Sequence, residues 1–220
     1  SCVNNIKTFA ITDGMRVSVE SGGRLCNMFA DCTVLTSARF TDFDTSGVTD
    51  MSHMFENCTS MTTIDISELS TIDVEDMEGM FMGCTAMTRV DLRSFDVSYA
   101  ETMKDMFKNC SALASIEFPE GFNPAAVEYM NSMFEGCSNL QALDLTAFNT
   151  YSVREMSAMF KDCSNLGEIN VSSFDVFNVY EMDEMFMNCS KLTRLDLTGF
   201  DPSNAGNMAS MFEGCSGLTE

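Results

Sequence analysis

Eight cysteines, Cys32, Cys58, Cys84, Cys110, Cys137, Cys163, Cys189 and Cys215, stand 26 residues apart, with a single 27-residue step between Cys110 and Cys137. A unit of that length is one supersecondary element that cannot bury its own apolar face, so copies must stack along an axis and share a continuous core. The 220 residues, 45% of them hydrophobic, therefore predict an elongated solenoid rather than a globule with a central core.

Counted from each cysteine, apolar residues recur at +3, +6, +8, +11, +16, +19, +22 and +23. The copy from Cys163 reads Leu166, Ile169, Val171, Phe174, Val179, Met182, Met185, Phe186 and Cys189. The +6 and +8 pair, as in Val90/Leu92 and Leu143/Leu145, has the period of a strand. The later set has the spacing of one helix face, which predicts a helix of about ten residues in each copy. Asp73/Asp76, Ser152/Glu155 and Asn178/Glu181 fit a capping box at its start. Asp44, Asp96, Asn123, Asn149, Asp175 and Asp201 are placed to bond their own backbone two residues on and close the intervening turn. The extra residue of the long copy is expected in that turn, at Pro119, Glu120 and Gly121.

The stretch VTDMSHMFENCTSMTTIDIS, with variants EMSAMFKDCSNLGEINVS and NMASMFEGCSGLTE, resembles the BspA-type leucine-rich-repeat surface proteins of bacteria, from about residue 25 onward. That resemblance implies a right-handed leucine-rich-repeat-like α/β solenoid with one short parallel strand and one helix per repeat. It also implies an extracellular or cell-surface bacterial protein of a kind that includes adhesins for host matrix proteins or other microbes. The absence of Trp is a departure, since the family often carries Trp where this chain has Phe.

Residues 1–23 do not fit the repeat, and FAITDGMRVSVE reads as a β-hairpin around Asp13-Gly14, an N-terminal cap. Residues 24–220 are then about eight stacked repeats, the last ending at Gly217-Leu218-Thr219-Glu220 within a new copy, as in a segment of a longer chain. A formal charge of −21 offers no basic patch for nucleic acid or anionic lipid and favours basic partners. No apolar run approaches the roughly 20 residues of a spanning helix, so direct membrane insertion is not expected.

The repeat cysteines occupy equivalent inward positions with parallel side-chain vectors, so they read as buried free thiols rather than as disulfides or zinc ligands. Cys26 falls in a solvent-facing slot shared with Ser52, Glu78 and Lys104, and a Cys2–Cys26 disulfide is expected to clip the cap to the first repeat. The methionines, in register with Phe and Cys, belong to the core.

Two surfaces are candidates for recognition. One is the strand face, where Arg39, Asp65, Asp91, Glu117, Asp144, Asn170 and Asp196 form one row flanked by Arg89, Arg93 and Arg194. Parallel strands put successive members about 5 Å apart, so their repulsion needs relief from the arginines, from local backbone hydrogen bonds or from a cation such as Ca²⁺. The other is the turn, where Tyr99, Tyr151, Phe177 and Tyr180 lie outside the core pattern. The lone histidine, His53, is on the outward side while Cys58 faces inward, so no catalytic couple forms and no enzyme is expected. The reading is a non-catalytic scaffold for a protein or glycan of a host or another microbe, with a structural spacer as the alternative and no resident cofactor.

Overall fold

The computed structural model describes residues 6–10 and 17–219. Eleven short strands occur among them: β1 Thr8–Ala10, β2 Val17–Ser18, β3 Gly23–Arg24, β4 Ser37–Arg39, β5 Phe43–Asp44, β6 Val48–Asp50, β7 Thr63–Asp65, β8 Arg89–Asp91, β9 Ser115–Glu117, β10 Ala142–Asp144 and β11 Glu168–Asn170. Every pairing is parallel, and from β4 to β11 partners sit one repeat apart, as in Val90↔Ile116 and Leu143↔Ile169. A second column of single bridges runs Asp50↔Asp76↔Thr102↔Tyr129↔Glu155↔Glu181↔Asn207. Each repeat is thus one coil of a solenoid, tied to its neighbours along two edges.

No helix is found among the described residues, which corrects the expectation of one per repeat. The segment Met51 to Cys58 shows why. The N–H groups of Met51, His53, Phe55 and Asn57 donate sideways to the carbonyls of Asp76, Glu78, Met80 and Met82 in the next coil, at 2.9, 2.8, 2.9 and 2.7 Å. The intervening N–H groups of Met54, Glu56 and Cys58 close tight turns on Met51, His53 and Phe55. His53 and Asn57 adopt φ of 55°, the left-handed conformation required at the third position of a type II turn and incompatible with a continuing α-helix. Every later coil repeats this, through Gly79/Gly83, Asp105/Asn109, Ser132/Gly136, Ala158/Asp162, Glu184/Asn188 and Ser210/Gly214. A chain of such turns brings residues three and four apart to one face just as a helix does, so hydrophobic spacing alone does not separate them. The predicted capping boxes serve other bonds: Asp76 Oδ1 accepts from the Glu78 N–H, and the Asn178 amide donates to the Tyr151 carbonyl of the preceding coil.

The core is a set of ladders. Phe29, Phe55, Phe81, Phe107, Phe134, Phe160, Phe186 and Phe212 form one column of rings 5.4 to 5.9 Å apart and within 12° of parallel. Methionines at +19 and +22, such as Met156 and Met159, are wholly buried beside it. The expected Asx bonds close the turns, with Asp44, Asp96, Asn149, Asp175 and Asp201 accepting from the N–H two residues on. The inserted residue lies where expected, as Gly121 takes φ of 76° in open space after Pro119.

The tip of the expected hairpin, Asp13-Gly14, lies outside the described residues. The strands on either side do not pair with each other. β1 pairs with β4, β2 with β5 and β3 with β6, all parallel, so the described part of residues 6–24 runs as a coil in the stack.

Candidate recognition surfaces

The strand face carries the row anticipated from the repeat, and its charges are relieved in two ways. In its first half arginines add to the chain's own bonds: Arg39 Nε lies 3.4 Å from Asp65, Arg93 grips Asp91 at 2.5 Å and reaches Glu117 at 3.3 Å, and Arg89 lies 2.7 Å from Glu117, while Asp65 and Asp91 also accept from the Ser67 and Arg93 N–H groups at 3.3 and 3.1 Å. Hydrogen bonding to Arg93, more than its charge, brings the Asp91 carboxyl down to about 2. In the second half the chain itself does it. Asp144, Asn170 and Asp196 each accept through Oδ1 from the N–H two residues on, in Thr146, Ser172 and Thr198, at 3.0, 3.0 and 2.9 Å. The hydroxyls of Thr146 and Ser172 add bonds of 2.7 Å. Bonds of this kind hold the Asp144 and Asp196 carboxyls below the usual carboxylate range. The Ser or Thr two residues after the acid, in Asp-Ile-Ser, Asp-Leu-Thr and Asn-Val-Ser, was the available sequence signal for this orientation.

That second half forms an open groove of ≈ 660 Å³ with Leu143 and Ile169 in its lining and Asp144, Asn170, Arg194 and Asp196 around them. Asp144 and Asn170 are in register across β10 and β11, and Glu168 bridges to Arg194 in the next coil. Polar groups held by their own backbone above an apolar lining can exchange water for a ligand with little reorganisation. Among the described residues no group of three or more His, Cys, Asp and Glu side chains is arranged to hold a metal ion.

The four turn aromatics are exposed, Tyr99 and Tyr151 at 63%, Phe177 at 50% and Tyr180 at 42%. Tyr151 and Phe177 occupy equivalent places in adjacent coils, joined by the Asn178 bond to the Tyr151 carbonyl, and Asn204 repeats it to the Phe177 carbonyl at 2.8 Å. Tyr180 stands over the second bridge column, its hydroxyl donating to Glu155 at 2.9 Å. Tyr99 sits two coils before Tyr151, apart from the other three. Glu155 was not singled out in sequence as a partner of the patch, because only the coil geometry brings it under Tyr180.

The cysteines form a ladder of their own. Cys58, Cys84, Cys110, Cys137, Cys163, Cys189 and Cys215 donate S–H to the Phe carbonyl of the preceding coil at 2.9 to 3.2 Å. Burial pushes Cys58, Cys110 and Cys189 up to about 12, so these thiols stay protonated and unreactive. The disulfide expectation needs correction. Cys26 is a half-buried free thiol and Cys32 is the disulfide-bonded one, while Cys2 lies outside the described residues. His53, with φ of 55°, sets Nδ1 3.1 Å from Glu56 and does not meet Cys58, whose thiol points into the core.

In-register parallel coils with a strand ladder on one edge and a continuous core define a β-solenoid of leucine-rich-repeat type. Solved structures agree on that fold. A leucine-rich repeat protein of T. pallidum superposes with a TM-score of 0.53 at 18% identity, over 94% of this chain and 86% of that one. One from Eubacterium ventriosum gives 0.50 at 16% identity, over 86% of this chain, which spans 44% of that protein. The chain belongs to the family described as Mycoplasma protein of unknown function, DUF285, which it matches over residues 23–141 and 116–220. The bacterial leucine-rich-repeat resemblance seen in sequence therefore holds at the level of repeat and fold. No curated protein matches it in sequence.

Proposed function

We propose that the chain is a non-catalytic recognition scaffold on the outside of a bacterium, which presents its strand face to a protein or glycan of a host or another microbe. The observation that carries this reading is the groove over Leu143 and Ile169, where Asp144, Asn170 and Asp196 are held in a row by their own backbone rather than by arginines. The neutralised half from Arg39 to Glu117 leaves the second half as the part with unspent charge. Buried, protonated thiols and grooves open to solvent supply neither a nucleophile nor a water-excluded chamber. Surface location rests on the family resemblance; among the described residues no helix is long and apolar enough to cross a membrane.

The test is a binding screen against host matrix proteins and glycans at low and moderate salt, with and without calcium. A saturable partner whose affinity falls with salt is expected, since the free groups of the groove are mainly carboxylates. A clean negative from folded protein overturns recognition in favour of a spacer that sets the distance of another domain.

A further inference from the structure

The corner formed by Tyr151, Phe177 and Tyr180 lies on a different edge of the coils from the strand face and has chemistry of its own. Its three rings are exposed at 63%, 50% and 42%, although the repeat buries every Phe of the core column up to Phe186. Side chains of that area cost little entropy to dock, and exposed aromatics outside the core pattern in adjacent coils favour a contact surface. The backbone beneath is fixed, since Asn178 and Asn204 bond the carbonyls of Tyr151 and Phe177, and Tyr180 and Gly206 continue the lateral backbone ladder from Arg154.

The surroundings decide what the corner accepts. Glu155 holds the Tyr180 hydroxyl, Glu181 is the bridge partner of Glu155, and Asp175 closes the turn that presents Phe177. The neighbouring cation, Arg154, is already engaged by Glu128 at 3.0 Å. Aromatic faces beside carboxylates match a guanidinium or ammonium group, which gains from the ring quadrupole and from charge together. An anionic partner would meet repulsion from the same acids and from the net charge of −21.

We infer that this aromatic corner is a second binding site, separate from the strand-face groove, and that it takes an arginine- or lysine-bearing segment of a partner protein. The site stands whether or not the groove binds anything.

The experiment is fluorescence anisotropy of a labelled oligoarginine peptide with the folded chain, at low and high salt. Salt sensitivity alone does not discriminate, because so acidic a chain attracts a polycation everywhere; dependence on the rings does. Replacing Tyr151, Phe177 and Tyr180 together by Ser is expected to weaken binding about tenfold or more, with charge and thermal melting unaltered. Asp144→Asn with Asp196→Asn, which alters the groove only, should change it by less than about twofold. Glu155→Gln with Glu181→Gln should lower the salt dependence while the rings still contribute. Binding unaffected by the triple aromatic substitution overturns the proposal. So does a neutral glycan that binds through the same rings while oligoarginine does not, which would make the corner a sugar platform.

Discussion

The position before each repeat cysteine holds Asp31, Asn57, Gly83, Asn109, Gly136, Asp162, Asn188 and Gly214, all with positive φ. These are the residue types that tolerate the left-handed region. Asn57 and Asn188 donate their amides to Asp31 and Asp162 of the preceding coil. Glycine follows asparagine because a Cβ on Gly136 would come 2.6 Å from Asn109 Oδ1. Gly121→Ala, with φ of 76° and open space, should cost about 1 kcal/mol, the penalty of backbone conformation alone. Gly136→Ala should cost more, and adding Asn109→Gly, which removes the Oδ1 and tolerates the φ of 60° at that position, should recover the difference; equal urea midpoints for the two single variants would contradict this. The thiol ladder gives a second prediction. A thiol that ionises near 9 when unfolded and about 12 when folded, as for Cys58, Cys110 and Cys189, stabilises the fold fully below pH 9 and progressively less as pH rises to 12. Urea midpoints should fall across that window, less steeply in Cys110→Ala; identical slopes would show that the thiols do not contribute.

At the scale of the coil, the turn chain replaces a helix because sideways hydrogen bonds satisfy the backbone while the same side chains stay inward. Far-UV circular dichroism should therefore lack the helical minimum near 222 nm, and a strong one would restore the helix reading. Phe160 sits in mid-column between Phe134 and Phe186, so Phe160→Ala should cost about 3 to 5 kcal/mol by leaving a cavity, measured by urea unfolding. The strand column, the buried Met, Phe and Cys ladders and the Asx turns were legible in sequence, because each is a periodic placement of residue type. The helix was misread because Met156, Met159, Phe160 and Cys163 have the same spacing in both geometries. The signal that separates them is Ala158 and Asp162 adopting φ of 56° and 61°, foreshadowed by the invariable Asp, Asn or Gly one residue before each cysteine. The Cys2–Cys26 pairing was inferred from the solvent-facing slot of Cys26 and the place of Cys2 in the expected cap, and Cys26 being free shows that these did not decide which cysteine pairs. The aromatic corner was visible as three residues outside the core pattern, but its acid, Glu155, became visible only when the coils were stacked.

Across the whole molecule, net charge and stacking oppose each other, and pH exposes the balance. Asp65, Asp91, Asp96, Asp144, Asp196 and Asp201 have lowered carboxyl pKa values because their ionised forms receive hydrogen bonds. Their stabilisation is present above the unfolded value near 4 and lost as pH falls through the folded values. Asp76 goes the other way, raised first by burial and then by Asp50 and Glu78, and it favours the fold when protonated. The lowered groups outnumber it, so thermal melting should drop between about pH 4 and pH 2; a rise there would mean that repulsion along the Asp50–Asp76 and Glu155–Glu181 bridges dominates. Recognition by the strand face is tested most directly by titrating one partner from the screen against the wild type, the Asp144→Arg/Asp196→Arg variant and an Asp65→Arg/Glu117→Arg control. Affinity should fall about tenfold or more in the first variant and change little in the second; equal losses, or none in either, would contradict a recognition site in the groove over Leu143 and Ile169.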